Sequence, residues 1–343
     1  MGLRRYVIRR IIYSFILLLL VISFNFVLFQ MLPFYVSCPG RTYNQCAGFL
    51  YYPPLPTKNP DQLKEVQAER AEILKIYGFN NTIPMRWLLY LKAMLTFNFG
   101  YNAGQALGGT VMGTILQRLP YTVVLLGTST IASFIIGIAL GVVAASKRGR
   151  VLDVSSLAIL LFVNALPVFF LGAMLELIQR QSLGTFYVPI GTAILLKSGV
   201  GYVVGYLQAF FLPFLTLTLA GIGGIFLTER AVMIDTVAED YILMARAKGL
   251  SERSVLYKHA FRNAVLPITT AFALSIGFIL SGAIITETVF GWPGLGQAIF
   301  TAIGNYDFPL EQAIFYLITL MVLICVFASD ILYGVLDPRV VTA

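Results

Sequence analysis

Along most of this chain apolar residues do not alternate with polar ones; they run in long blocks. A helix needs about 20 apolar residues to cross a bilayer, and six blocks reach that length: 11–32, 120–146, 154–178, 204–228, 265–286 and 311–335. Between the first two, "KNPDQLKEVQAERAEILKIYGF" predicts a short polar helix ending at Gly78, and "IPMRWLLYLKAML" predicts an amphipathic helix lying at the membrane surface. The one other extended departure from apolarity is "EDYILMARAKGLSERSVLYKHAFRNAVLP", between the fourth and fifth blocks. Here Val237, Tyr241 and Met244 are spaced four and three apart and so share a helix face. Gly249 stands where a helix C-terminal glycine belongs. Ser251 can cap a second helix, with Glu252 in its first turn where the dipole favours an acid. In that helix Leu256, Ala260 and Ala264 form one row and Tyr257, Phe261 and Val265 another, with Lys258 and Arg262 opposite and Pro267 marking the start of the fifth block. The pattern predicts two helices joined by a tight turn.

Composition agrees with the blocks. The chain is 58% hydrophobic and 12% charged, with a mean hydropathy of +0.82, where a soluble domain carries about 25% charged residues. The fold class is therefore all-α, a polytopic membrane protein with six transmembrane helices. The net charge of +8 reports loop asymmetry rather than nucleic-acid binding. Fourteen of the 24 Lys and Arg fall in the N-terminal tail, the segment after the second block, the 230–262 region and the C-terminal tail. Eight of the others sit in the long segment 33–119, which translocates largely regardless of charge. Both termini and the hairpin are thereby predicted to be cytoplasmic. The basic start "LRRYVIRR" precedes a block longer than a signal-peptide core with no small-x-small site after it, so it reads as a retained first helix. Three parts follow: 1–32, the tail and first helix; 33–119, an extracytoplasmic segment with short helices; and 120–343, a five-helix core that includes the hairpin at 232–266.

Within the second block Ser129, Ser133, Gly137, Gly141 and Ala145 recur every four residues, a ridge that lets another helix come close. Pro167, Gly172, Pro213, Gly221, Gly223, Gly224, Gly277 and Gly282 admit the same packing, or helices that bend or rock. Glu176, Glu229, Glu287 and Asp330 fall near block ends, where water or headgroups reach them, and Glu176 can pair with Arg180 at i,i+4. The blocks thus hold no obvious internal means of energy coupling. A phosphate-binding G-x-x-x-x-G-K-[ST] run is missing, and a single histidine, His259, stands without a metal-ligand cluster. No catalytic residue is assigned. Cys38 and Cys46 lie in the outer segment, where a disulfide is permitted; Cys325 reads as packing. "YNQCAGFLYYPPLP" either packs against the membrane domain or forms a lip that touches substrate or a partner.

"EDYILMARAKGL" and "HAFRNAVLP" resemble the EAA loop of binding-protein-dependent ABC importer permeases, in the form used by the dipeptide/oligopeptide family. Leu243, Met244 and Ala245 replace the usual Glu-Ala-Ala, and His259 stands where an isoleucine is common. "RRYVIRRIIYSFILLLLVISFNFVLFQMLP", "ILKIYGFNNTIPMRWLLYLKAMLTFNFG", "ITETVFGWPGLGQAI" and "SDILYGVLDPR" are similar to other family segments in the same order. "SCPGRTYNQCAGFLYYPP" lies outside the common pattern. The resemblance implies a type I ABC importer permease in a prokaryotic cell membrane, carrying peptides or oligosaccharides. It implies a second, homologous permease subunit, two ABC ATPase subunits and an extracytoplasmic substrate-binding protein. No cofactor is expected in this chain, ATP and Mg being expected in the ATPase subunits. The coupling residues it implies are Glu239, Asp240, Arg246, Lys248, Gly249, Ser251, Glu252, Arg253, Lys258, Arg262, Asn263 and Pro267. The alternatives are a secondary transporter or channel with a structural hairpin, and a membrane-embedded enzyme. The first requires intramembrane ionisable groups, inverted repeats or a filter loop, and the second clustered His, Asp or Glu; none is evident in the sequence.

Overall fold

The computed structural model describes residues 3–32, 34, 40, 45, 51, 60–103, 109–183, 200–278 and 283–336. Among them no strand forms, and one isolated antiparallel bridge joins Tyr101 and Thr110. Among the described residues four helices are long and apolar enough to cross a membrane: Val7–Met31, Val111–Ser146, Val200–Val237 and Phe308–Ala328. The pair Val151–Ala165 and Val168–Ser182 adds a fifth span if the two count as one, and it bends by 105°. These match the first, second, fourth, sixth and third apolar blocks. The fifth block is helical as far as Phe278 and then passes through 279–282, outside the described residues, where Cys38 and Cys46 also lie.

The bend corrects the expectation of one continuous helix over 154–178. Leu166 is extended, with φ −75° and ψ 133°, as a following proline imposes. Pro167 then has no N–H to continue the helical ladder.

By contact the chain forms two compact units. The first gathers α1 (Leu3–Phe26), which continues as a π-helical turn Val27–Met31, with α2 (Pro60–Tyr77), α3 (Ile83–Leu95), the start of α4 (Val111–Ser146), α12 (Leu295–Asn305) and α13 (Phe308–Leu336). α1 lies along α13. α2 stops at Gly78, as its sequence predicts, with φ +63° there and Gly78 N–H donating to Leu74 O. The core is aromatic: Phe26, Phe34, Tyr51, Tyr77, Phe79, Tyr90, Phe99 and Tyr316 are all buried. A hydrogen-bond chain threads it. Tyr51 OH donates to Phe29 O at 2.9 Å and lies 3.2 Å from Gln312 Oε1; Gln312 Nε2 donates to Tyr77 OH at 2.6 Å; Tyr77 OH donates to Phe99 O at 2.8 Å. Tyr51 belongs to the aromatic, proline-rich stretch, and at that position the stretch packs inward. α3 departs from a simple surface helix. Its exposed side is apolar (Met85, Leu88, Leu95), while Arg86 is fully buried, donates to Gln30 O at 3.2 Å and lies over the rings of Phe34 and Phe79 at 5.1 and 5.3 Å.

The second unit holds the rest of α4, α5 (Val151–Ala165), α6 (Val168–Leu183), α7 (Val200–Val237), α8 (Asp240–Ala247), the single turn α9 (Glu252–Ser254), α10 (Phe261–Phe278) and α11 (Ile284–Val289) from Ile285 on. α7 is its axis, packing against α5, α6 and α10. The small-residue ridge of α4 seats α7. A Cβ on Gly137 would stand 2.9 Å from Ile225 Cβ, and one on Gly141 2.8 Å from Glu229 Cβ. Ser133 Oγ donates across the seam to Thr218 O at 2.9 Å. The ridge therefore serves close helix packing. Glu229 and Glu287, read from sequence as near water, are fully buried. α7 runs on to Val237, nine residues past the apolar block, so Glu229 sits within the helix rather than at its end.

Candidate functional site

The hairpin begins where α7 stops. Ala238 N–H and Glu239 N–H donate to Asp235 O and Thr236 O, and Glu239 is extended, so the chain turns out of α7 and restarts as α8 at Asp240. α8 closes on Gly249, whose φ of +75° lies in the left-handed region that glycine adopts without strain, and whose N–H donates to Arg246 O at 2.9 Å. Ser251 then caps the second arm as its spacing predicts, its Oγ accepting from Ser254 N–H at 3.4 Å. That arm is one helical turn, then a six-residue π-helical stretch (Val255–Ala260), then α10. α10 continues without a break from Phe261 to Phe278, so position 267 lies inside a helix instead of marking a boundary.

The two arms share one small core. Ile242 and Ala245 from α8 pack with Val255, Ala260 and Ala264 from the second arm, Met233 of α7 and Val142 of α4. The predicted row Leu256, Ala260, Ala264 is on this core. Of the shared face Val237, Tyr241 and Met244, Val237 packs against this core while Tyr241 and Met244 are exposed, and the buried pair of α8 is Ile242 with Ala245. With only eight residues, α8 offers two stripes of similar apolarity, and tertiary contact decides which is covered. Tyr241 acquires a different task. Its hydroxyl accepts from Asn263 Nδ2 at 2.8 Å, tying α8 to α10.

Two of the predicted coupling residues engage each other. Arg246 Nε and Nη2 donate to Glu252 Oε1 and Oε2 at 2.9 and 3.4 Å, bridging the turn. The pair is solvated, so it is worth no more than about 1 kcal/mol; it holds a shape more than it stabilises. Glu239, Asp240, Lys248, Arg253, Lys258 and Arg262 are exposed, and His259 is half-buried. Beside these charges Leu243, Met244, Leu250 and Tyr257 stand exposed by 40–63%. Sequence reasoning did not single out Leu250, and named Leu243 only as a departure from the family pattern. The surface is thus an apolar patch among charges that are mostly cationic, carried on a helix pair rooted in α7 and α10.

A second device lies near the base of the hairpin. Arg230, three residues before Met233, donates to Asp153 through Nε at 2.6 Å and Nη2 at 2.8 Å, and Asp153 also accepts Gly149 N–H at 2.9 Å. Asp153 is buried at the start of α5. This bidentate clamp joins α5 to α7 and had no local signal in the sequence. Among the described residues no group of three or more His, Cys, Asp or Glu is placed to hold a metal ion.

Residues 137–342 match the family described as binding-protein-dependent transport system inner membrane component. The chain is 32% identical over 274 residues to the oligopeptide transport system permease protein AppB of Bacillus subtilis, covering 80% of this chain and 85% of that protein. It is 31% identical over 287 residues to the di/tripeptide transport system permease protein DppB of Pseudomonas aeruginosa (79% and 84%). It is 32% identical over 273 residues to the metal-staphylopine import system permease protein CntB of Staphylococcus aureus (78% and 81%).

Proposed function

The chain belongs to the binding-protein-dependent transport system inner membrane components, and from that premise we propose that it carries peptides, delivered by an extracytoplasmic binding protein, across the cell membrane with energy received through the 239–267 hairpin. As a permease subunit it catalyses no reaction itself. Two ATPase subunits, holding ATP and Mg, bind on the cytoplasmic side, and a second permease subunit completes the path.

One observation carries the coupling assignment: the hairpin is a preformed, two-armed body with its own core, and its outer surface is apolar and cationic. An ordinary connecting loop has no need of a shared core, a glycine stop, a serine cap and an exposed patch. Leu243, Met244, Leu250 and Tyr257 supply the buried centre of an interface with an ATPase, and Lys248, Arg253, Lys258 and Arg262 its charged rim. Arg246 and Glu252 set the shape of the turn instead of meeting the partner directly. Peptide cargo follows from the relatives named for oligopeptides and di/tripeptides.

The test is the assembled transporter in proteoliposomes. Gly249→Pro removes both the left-handed turn and its N–H, and Leu250→Asp with Tyr257→Asp places charge in the patch. Both are expected to insert and to abolish binding-protein-stimulated ATP hydrolysis. Stimulated hydrolysis at the wild-type rate in the double variant overturns the docking assignment. Cargo is read separately, by uptake of labelled di- and oligopeptides.

A further inference from the structure

One face of α7 changes character along its length. Tyr202, Tyr206, Phe210 and Phe214 follow at intervals of four, which keeps them on one side of the helix. Their rings form a ladder, with successive centroids 6.3, 6.3 and 5.3 Å apart and interplanar angles of 35°, 10° and 23°. All four are half-buried. The fully buried Trp292 backs the two middle rungs, 5.7 Å from both Tyr206 and Phe210. The more exposed apolar side chains of this part of α7, among them Val203, Val204, Leu207 and Phe211, point elsewhere around the helix.

Three residues past Phe214 the same face continues as Leu217, Gly221, Gly224 and Thr228, one wall of a cavity of about 370 Å³. α4 and α10 complete it with Ser129, Ser133 and Ser275 among others. The volume is within the range of small-molecule sites, and among the described residues no ionisable side chain lines it. Of its five described hydroxyls, Ser129, Thr228 and Ser275 donate to a carbonyl one turn back on their own helix, that of Leu125, Gly224 and Ala271 respectively, at 2.8–2.9 Å, and Ser133 donates across the seam to Thr218 O at 2.9 Å. A hydroxyl has one proton. These protons are committed, so the cavity is offered lone pairs. Aromatic faces are negative as well. Ladder and cavity therefore both favour hydrogen-bond donors and apolar groups over anions.

We propose that this face of α7 is the chain's own share of the translocation path. The ladder receives the apolar and aromatic side chains of a peptide, and the hydroxyl-lined cavity receives its N–H groups, while acidic side chains pass poorly. The proposal rests on the peptide-transport reading above and adds a route and a selectivity to it.

The experiment uses the full transporter in proteoliposomes, with its binding protein at saturation, and three peptides of equal length that carry Phe, Ala or Asp at one central position. The wild type is expected to carry the Asp peptide slowest. Phe210→Leu keeps apolar bulk and removes the stacked ring; it should slow the Phe peptide relative to the Ala peptide by about three- to tenfold. A benzophenone-bearing peptide, photoactivated during turnover, should cross-link within residues 202–228 or 129–133. Equal slowing of the Phe and Ala peptides, an Asp peptide carried as fast as the others, or cross-links confined to other segments overturns the ladder while peptide transport stands. A wild-type complex that hydrolyses ATP but carries none of the three overturns the cargo reading and this proposal together.

Discussion

Around Tyr77 the first unit fills space. Tyr51, Phe79 and Tyr90 stand with ring centroids 5.3, 5.8 and 6.3 Å from it, and Gln312 threads a hydrogen-bond chain between them. Between α4 and α7 the second unit does the reverse and removes side chains, so that Gly137 and Gly141 let the helices meet at backbone distance. The filled core fixes one arrangement through interlocking shapes. The bare seam gains from close contact but has few interlocking groups to hold a register. Its hydroxyls bond mostly within their own helices, and Ser133 is the exception that reaches across. Interlocking shapes are concentrated in the first unit, and close backbone contact in the seam.

The contrast can be broken most severely beside the seam, at the charged clamp between α5 and α7. Asp153→Ala leaves Arg230 without its buried partner and should cost about 3–5 kcal/mol, read as a fall in the unfolding temperature of the purified protein. Overfilling the seam comes next. Gly141→Leu forces a side chain where even a Cβ stands 2.8 Å from Glu229, and should cost about 3 kcal/mol together with transport. In the filled core, Tyr77→Phe deprives Gln312 Nε2 of its acceptor and Phe99 O of its donor, a loss of about 2 kcal/mol with transport kinetics unchanged.

Alkaline pH separates the two regions without mutation. Burial pushes the Tyr51, Tyr77 and Tyr90 hydroxyls above the ordinary tyrosine value of 10.0. Unfolded tyrosines release protons at 10 while the folded ones keep them, so stability is unaffected below that pH and falls as pH rises through it. The two tryptophans, Trp87 in the first unit and Trp292 in the second, are separate reporters. In single-tryptophan variants the Trp87 transition should fall first on raising pH, and loss at Trp292 before Trp87 would count against the contrast. The smallest effect lies outside both cores: Arg246→Ala should change stability by less than about 1 kcal/mol.

What the sequence made legible was local. The stop at Gly78, the turn at Gly249, the cap at Ser251 and the ridge through Gly141 each depend on residues within a turn or two, and each stands where its spacing placed it; of the apolar blocks, the third is a bent pair and the fifth leaves the described residues after Phe278. What it hid was long-range. Asp153 and Arg230 are 77 residues apart, and Tyr51 and Gln312 are 261 apart, so no periodicity links them. The covered face of α8 and the buried Glu229 share a cause, since which stripe is covered and how far a helix continues are settled by neighbours. Pro167 was visible, but a proline within an apolar run is compatible with a continuous helix, as Pro213 in α7 shows; only the path of the chain distinguishes the two.

α7 is 38 residues of unbroken helix, a rod about 57 Å long at 1.5 Å per residue. Its Met233 end is cemented into the core of the hairpin, and its other end carries the aromatic rungs. On such a rod each degree of tilt imposed at one end becomes about 1 Å of travel at the other. A tilt of a few degrees at the base then moves Tyr202 sideways by a few Å. Gearing of that kind needs no chain of rearranging contacts between the hairpin's patch and the far end of the helix, because the backbone itself is the linkage.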